Sequence, residues 1–229
     1  MKVSIIIPCY NEHKTIAQIV NKILNQTKIE KEIIIIDDCS TDGTKEILQK
    51  NINSKVDKII YNEKNFGKGF CIKKGVEISS GQIVLIQDAD LEYDPSDYNK
   101  ILKPIFEGNA DVVYGSRFVG SEEKRVLFYW HSVGNYLLTT LSNIFSNLNL
   151  TDMENCYKAF KSDLIKSINL EEERFGFEPE ITAKIAKKKV RIFEVGVKYF
   201  GRTYSEGKKI TWRDGFSALR CIIKYNLFR

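Results

Sequence analysis

The chain has 229 residues, enough for one generous domain or two small ones and for a real buried core. Hydrophobic residues make up 43% and charged residues 28%, which excludes a wholly disordered or collagenous polymer. Lys and Arg number 35 against 30 Asp and Glu, a net +5 that suits an anionic ligand or membrane surface; with acids so numerous, no nucleic-acid partner is expected.

Short β-branched runs recur at Val3–Ile7, Glu32–Ile36, Lys58–Tyr61, Ile83–Ile86 and Asp111–Tyr114. They are almost continuously apolar, as strands covered on both faces of a parallel sheet should be. Between the first two, Ile16, Ile19, Val20, Ile23 and Leu24 follow the stripe of a helix packed on a core. Thr44–Lys50, Lys68–Ile78 and Pro95–Phe106 are further helix candidates, the last with Asp94 as cap and Pro95 in its first position. Alternating strand and helix implies βαβ units in a three-layer α/β domain with a mainly parallel sheet, whose ligands sit beyond the carboxyl ends of the strands.

After Gly120 the rhythm changes. Trp130–Leu148 is a long amphipathic segment with Trp130, Val133, Leu137, Leu141, Ile144 and Leu148 on one stripe. A polar link, Asn149–Asn155, precedes helix candidates near Asp163–Ile168 and Pro179–Lys187. A short strand pair is expected around Val190–Tyr199 and a closing helix from about Arg213. No repeat or Gly/Ser linker interrupts the chain, so one domain over residues 1–229 with an elaborated C-terminal part is expected.

The cysteines Cys9, Cys39, Cys71, Cys156 and Cys221 are odd in number and form no C-x-x-C pair, which points to a reducing compartment rather than a disulfide framework or zinc ribbon. His13 and His131 are too few for a His-rich metal site. The first apolar run meets Pro8 too soon for a signal peptide, and no stretch approaches a membrane-spanning length. The expected location is cytoplasmic, or peripheral on the cytosolic face of a membrane.

Polar and charged residues gather at each strand end: Pro8 to Glu12, Asp37 to Thr44, Asn62 to Gly69, Gln87 to Glu92, and Gly115 to Arg117. Asp38-x-Ser40-x-Asp42-Gly43 imitates an EF-hand loop, but the twelfth position is Gln49 and a strand stands where a helix is needed. The dinucleotide fingerprint fails at Ile72, where its third glycine would fall, and no Gly-Lys pair is followed by Ser or Thr. Asp88-Ala89-Asp90 is the informative triplet. In an extended segment both carboxylates point to one side, and Glu92 continues the row. Oxygen donors without His or Cys select Mg²⁺ or Mn²⁺, an ion that would bridge the pyrophosphate of a nucleotide-activated substrate.

As a set in this order, these segments resemble family-2 glycosyltransferases of the GT-A nucleotide-sugar fold, most closely the branch of dolichyl-phosphate mannose synthase and other polyprenyl-phosphate sugar synthases. The likeness continues through Asn149–Glu154, Phe175–Glu180 and Gly201–Tyr204. The resemblance implies a nucleotide-sugar half at 1–119 and an acceptor-side half at 120–229. It implies that Pro8, Tyr10, Glu12, Asp37, Asp38 and Lys68 line the nucleotide pocket, with Asp88 shared between nucleotide and metal. Asp88, Asp90 and Glu92 would hold the ion, Glu92 standing where such synthases often carry Gln. Arg117, Arg125, Arg202 and Lys208 would meet the acceptor phosphate, and Asp90 and Arg117 would carry catalysis. The implied reaction is inverting, metal-dependent transfer of mannose or glucose from GDP-mannose or UDP-glucose to dolichyl or polyprenyl phosphate.

A hydroxyl acceptor needs a general base. A phosphate monoester, with a second pKa of roughly 6, attacks without one but must be held by Arg or Lys. Candidate cations cluster at 117–125 and 202–209. Transfer to a saccharide hydroxyl, with a base among Glu178, Glu180 or Asp152, is the first rival, and a non-catalytic nucleotide-sugar-binding module the second. Phe216, Leu219, Ile222, Ile223, Leu227 and Phe228 lie at helical spacing with Arg220, Lys224 and Arg229 off the stripe, a pattern for a helix lying on an anionic membrane surface or docked on the core.

Overall fold

The computed structural model describes residues 1–126, 128–209 and 212–228, and among them seven strands share one sheet. β1 (Val3–Cys9), β2 (Lys31–Asp37), β3 (Lys58–Tyr61) and β4 (Ile83–Ile86) run parallel in the spatial order β3-β2-β1-β4. Ile5, Ile6 and Ile7 of β1 and Ile34, Ile35 and Ile36 of β2 are all fully buried, so neither face of these strands meets water. That is the physical origin of their unbroken apolar runs.

The crossovers are α1 (Ile16–Leu24), α2 (Thr44–Ile47) running on into a π-helical turn at Leu48–Ile52, α3 (Lys68–Ile78) and α4 (Tyr98–Phe106). α1 buries Ile16, Ile19, Val20 and Ile23, the stripe read from the sequence. Asp94 caps the turn leading into α4 by accepting from the Ser96 amide at 2.9 Å. α3 lies so close to β1 that a Cβ on Gly75 would collide with the Ile6 side chain. The crossovers leave β1 to β4 running in one direction, which gathers their carboxyl ends at the same end of the sheet.

The second half departs from the sequence-based expectation. β5 (Val112–Ser116) is present, but β6 (Lys158–Lys161) was not foreseen; it inserts antiparallel between β4 and β5. Two of its four residues are lysines, which disguised it. Lys158 is fully buried, with its ammonium donating to the carbonyls of Met153, at 3.0 Å, and Asn155. The strand pair expected near Val190–Tyr199 is one strand, β7 (Ile192–Gly196), parallel to β5, followed by a single bridge from Tyr199 to Lys124. The expected polar link after Leu148 is instead packed inside: Leu150, Asp152, Met153 and Asn155 are buried.

α5 (Tyr129–Ser146) forms where its periodicity placed it, but its apolar stripe is divided: Leu141, with Leu138 beside it, packs against the core, and other members of the stripe point outward. Trp130, Leu137 and Ile144 are 77%, 61% and 70% exposed, while Thr139 and Ser142 take the inner face. The reason lies beneath the helix. The buried segment there must satisfy its backbone groups. Asn143 brackets both the carbonyl and the amide of Leu150, at 2.7 and 3.1 Å, and Thr139 accepts from the Met153 amide at 3.2 Å. After α6 (Ser162–Lys166) and α7 (Phe177–Lys188), the chain ends in α8 (Trp212–Ile223) and a π-helical turn at Lys224–Phe228. Ala218, Cys221, Ile222 and Tyr225 are buried there, whereas Phe216, Leu227 and Phe228 face outward. The terminal helix thus divides its apolar residues between core and surface; Arg229 lies outside the described residues. Among the described residues no helix is long and apolar enough to cross a membrane.

Candidate active site

A cleft of about 740 Å³ opens at the carboxyl ends of β1, β2 and β4, lined on one side by Pro8, Tyr10, Glu12, Asp38, Lys68 and the Asp88–Glu92 turn. Three non-glycine residues around it, Asn11, Cys39 and Leu91, adopt left-handed backbone with φ of 51°, 63° and 66°. Such conformations survive only where their surroundings enforce them, and they cluster at working loops.

On the nucleotide side, Asp38 accepts from the amides of Phe66 and Gly67 at 3.0 and 2.7 Å and from the Asn62 amide group at 2.8 Å. Its carboxylate shapes the turn before α3. Gly67 sits in that turn at φ 111°, where a Cβ would fall 2.5 Å from the Glu173 carbonyl oxygen. Asp37 does not line the cleft. It lies behind Asp38, accepts from the Ser40 amide at 3.3 Å, and leaves its buried Oδ1 without a partner. Burial raises its pKa. Lys68 opens α3 and reaches Asp88 at 3.1 Å and Glu178 at 3.0 Å. Burial works against its charge, but those two carboxylates hold the ammonium well above its ordinary range.

The Asp88–Glu92 segment is a turn rather than the extended run expected from alternation, with the Glu92 amide donating to Asp90 Oδ1 at 3.0 Å. Burial, then the charges of Asp88 and Glu92, push the Asp90 pKa far above the usual carboxylate range. Glu92 is otherwise employed: it accepts from the Tyr199 hydroxyl at 3.0 Å and the Arg202 amide at 2.9 Å, tying the 199–202 segment to the cleft. Among the described residues no three His, Cys, Asp or Glu side chains converge on an ion position, so the expected trio of Asp88, Asp90 and Glu92 is not preassembled.

The expected acceptor cations fare differently from one another. Arg202 lies within the cleft, 2.8 Å from Asp90 and 3.1 Å from Glu12. Lys209, which carried no assignment from the sequence, joins it at 2.6 Å from Glu12. Lys208 bonds His131 Nδ1 at 2.8 Å, and the His131 ring also meets the Tyr204 hydroxyl at 3.2 Å, so the start of α5 and the 204–208 segment close one side of the mouth. Trp130 is exposed at that mouth rather than packed. Arg117 is gripped by buried Asp152, with Nε and Nη2 donating at 2.7 and 2.6 Å. Burial alone would raise the Asp152 pKa, yet the guanidinium holds it below the ordinary range. Arg125 is a correction. It does not line the cleft; it is spent on Glu206 at 2.7 Å and the Gly201 carbonyl at 3.2 Å, on a loop half open to solvent.

Two further carboxyls complete the wall. Glu178, in the first turn of α7, is only 4% exposed and has a buried Oε2 without a partner. Glu154, on the loop before β6, has a buried Oε1 in the same condition. Burial, followed by the charge of Glu178, pushes the Glu154 pKa up to about 8. Sequence reasoning gave Glu154 no role, and its one signal was an acid set among the apolar residues Leu150, Met153 and Cys156.

The profile of Glycosyl transferase family 2 matches residues 4–168, a span that runs from β1 to the end of α6 and includes Asp88, Asp90 and Arg117. A dolichol-phosphate mannosyltransferase of Pyrococcus furiosus is 28% identical over 92% of this chain, which spans 61% of that protein's length. A UDP-N-acetylglucosamine–dolichyl-phosphate N-acetylglucosaminyltransferase of Methanococcus voltae is 29% identical over 93% of this chain and 91% of its own length. The crystal structure of glucosyl-3-phosphoglycerate synthase from Mycobacterium tuberculosis, with Mn²⁺, UDP and phosphoglyceric acid bound, has a TM-score of 0.78 at 17% identity, covering 100% of this chain and 79% of that one; the likeness is one of fold. With its mostly parallel sheet and its acids at the strand ends, the chain belongs to glycosyl transferase family 2 and is a glycosyltransferase of the GT-A fold.

Proposed function

We propose that this glycosyltransferase moves a hexose from a nucleoside-diphosphate sugar, GDP-mannose or UDP-glucose, to dolichyl or polyprenyl phosphate at a membrane surface, assisted by Mg²⁺ or Mn²⁺. The observation that carries this reading is the gathering of cations in the cleft. Beside the acids near Lys68, Arg117, Arg202, Lys208 and Lys209 all line it, Arg202 and Lys209 reaching Glu12. A saccharide hydroxyl would need a base. Of the three candidates, Asp152 is consumed by Arg117, and Glu180 accepts from the amides of Glu171 and Glu172 at 2.7 and 2.8 Å, away from the cleft. Glu178 is paired with Lys68. A dianionic phosphate needs no base, only cations to hold it.

Asp88 and Asp90 fit a hard divalent ion: they offer oxygen donors only, and a cation relieves the repulsion that burdens Asp90. Mg²⁺-type sites are commonly completed by substrate phosphates around one or two carboxylates, which accounts for the absence of a preformed trio among the described residues. When bound, the ion neutralises charge on the departing diphosphate. The protein's own share is orientation. Lys68 holds Asp88, Arg202 holds Asp90 and Glu12, and Arg117 with Lys208 presents the acceptor phosphate. A phosphate oxygen then bonds to the anomeric carbon as its bond to the diphosphate breaks, a single displacement that inverts configuration.

The lipid part of the acceptor also finds a counterpart. A groove of about 860 Å³ runs along α5 beside Phe118, Val133, Tyr136, Ile144 and Leu148, and no charged side chain lines it among the described residues. Asn135 lines both this groove and the cleft, and it accepts from Arg117 at 3.1 Å. Exposed Trp130, Tyr136, Trp212 and Phe216 give the same side an apolar surface suited to peripheral attachment. The test is a donor panel, GDP-mannose and UDP-glucose, incubated with a polyprenyl phosphate and either metal. Labelled sugar is expected in the organic phase, and transfer solely to water-soluble saccharides would overturn the proposal.

A further inference from the structure

We infer that Glu154 and Glu178 form the subsite that reads the transferred sugar, Glu154 donating a hydrogen bond to one ring hydroxyl and Glu178 accepting from another, so that the donor is a neutral hexose rather than a uronic acid. The inference rests on the donor reading above and adds to it the residues that choose the sugar. Lys68 bridges Asp88 and Glu178 at 3.1 and 3.0 Å, so Glu178 stands one ammonium away from the diphosphate position. The group next to a diphosphate in a nucleotide sugar is the sugar itself. Glu178 is 4% exposed, yet its Oε2 is unpartnered and the residue lines the cleft. A buried acceptor left idle is costly unless a ligand completes it.

Glu154 supplies the complementary half. Its Oε1 is likewise buried and unpartnered within the cleft wall. The charges that act on it come from every side: Glu178 on α7, Lys158 on β6, Arg117 after β5 and Asp152 on its own loop. Burial and Glu178 prevail, and at neutral pH the group keeps its proton and presents an O–H. One carboxylic acid and one carboxylate lining the same cleft match a pair of hydroxyls, each of which both donates and accepts. A sugar carboxylate in the same place would meet Glu178 charge to charge.

The experiment is calorimetric titration with Mn²⁺ present, comparing UDP-glucose with UDP and GDP-mannose with GDP, on the wild type, Glu154→Ala, Glu154→Gln and Glu178→Gln. For whichever sugar nucleotide binds, Glu154→Ala should weaken it about tenfold and leave its parent nucleoside diphosphate within about twofold. Glu154→Gln retains an N–H donor and should restore most of the affinity. UDP-glucuronate should bind the wild type more weakly than UDP-glucose, and Glu178→Gln should narrow that gap. An unchanged ratio of sugar nucleotide to parent in Glu154→Ala overturns the subsite while leaving the donor reading intact. Equal loss of both ligands also overturns it, since the pair would then serve the fold. Failure of the wild type to bind either sugar nucleotide overturns the donor reading and the subsite together.

Discussion

Glu154→Gln should stabilise the protein much more at neutral and alkaline pH than at pH 5, and the structure sets the size of the effect. Glu154 has a pKa of about 8 in the folded chain against an ordinary 4.5. An acid whose folded pKa is raised binds more protons folded than unfolded between those two values, so stability falls as pH rises through that window and levels off above pH 8. Linkage over this interval gives a cost of about 1 kcal/mol at pH 5 and about 3 kcal/mol at pH 7, the slope approaching its limit of about 1.4 kcal/mol per pH unit only in the middle of the window. Glutamine keeps the shape and never ionises. The difference in unfolding free energy between variant and wild type should therefore grow by about 2 kcal/mol from pH 5 to pH 7. Asp90 also has a raised pKa, but it is present in both proteins and cancels in the difference. Urea unfolding in EDTA at pH 5, 6, 7 and 8 measures the quantity directly. A difference constant to within about 0.5 kcal/mol across that range would refute the claim that burial and Glu178 keep the group protonated.

Arg117→Ala should destabilise the fold by about 3–5 kcal/mol in urea, because it leaves the buried Asp152 carboxylate without its partner; a loss under about 1 kcal/mol would show that the pair is not structural. Asp90→Asn should abolish sugar transfer to polyprenyl phosphate, and near-normal turnover with Mg²⁺ or Mn²⁺ present would remove Asp90 from the ion site. Replacing Trp130 and Trp212 together by serine should cut co-sedimentation with phosphatidylglycerol vesicles at least about tenfold with an unchanged melting temperature, since both side chains are exposed. Undiminished vesicle binding would discard that surface as the membrane contact.

Some of this was legible in the residues and some was not, for definite reasons. The strands β1 to β4 could be read because a strand buried on both faces has no polar alternation to confuse the pattern. The cleft could be located because acids close each of these runs, and Asp38, Asp88 and Asp90 do line it. Lys158 and Glu154 hid because a charged residue reads as surface unless the loop that encloses it is known. β6 was lost with Lys158. The periodicity of α5 fixed its existence but not its full orientation, since a stripe does not say what covers it, and the polar needs of the Leu150–Asn155 loop drew Thr139 and Asn143 inward beside Leu138 and Leu141. Arg125 failed as a cleft residue because its loop bends it toward Glu206, a contact 81 positions away in sequence.

The divided seating of α5 separates two properties that most helices couple. Thr139, Leu138 and Leu141 secure the helix to the domain, while Tyr136, Leu137 and Ile144 are exposed. The outer set thus contributes little to folding, and changes there should tell instead on the groove and apolar surface proposed for the lipid acceptor. Thr139 has no such latitude, because an apolar residue there would strand the amide of Met153.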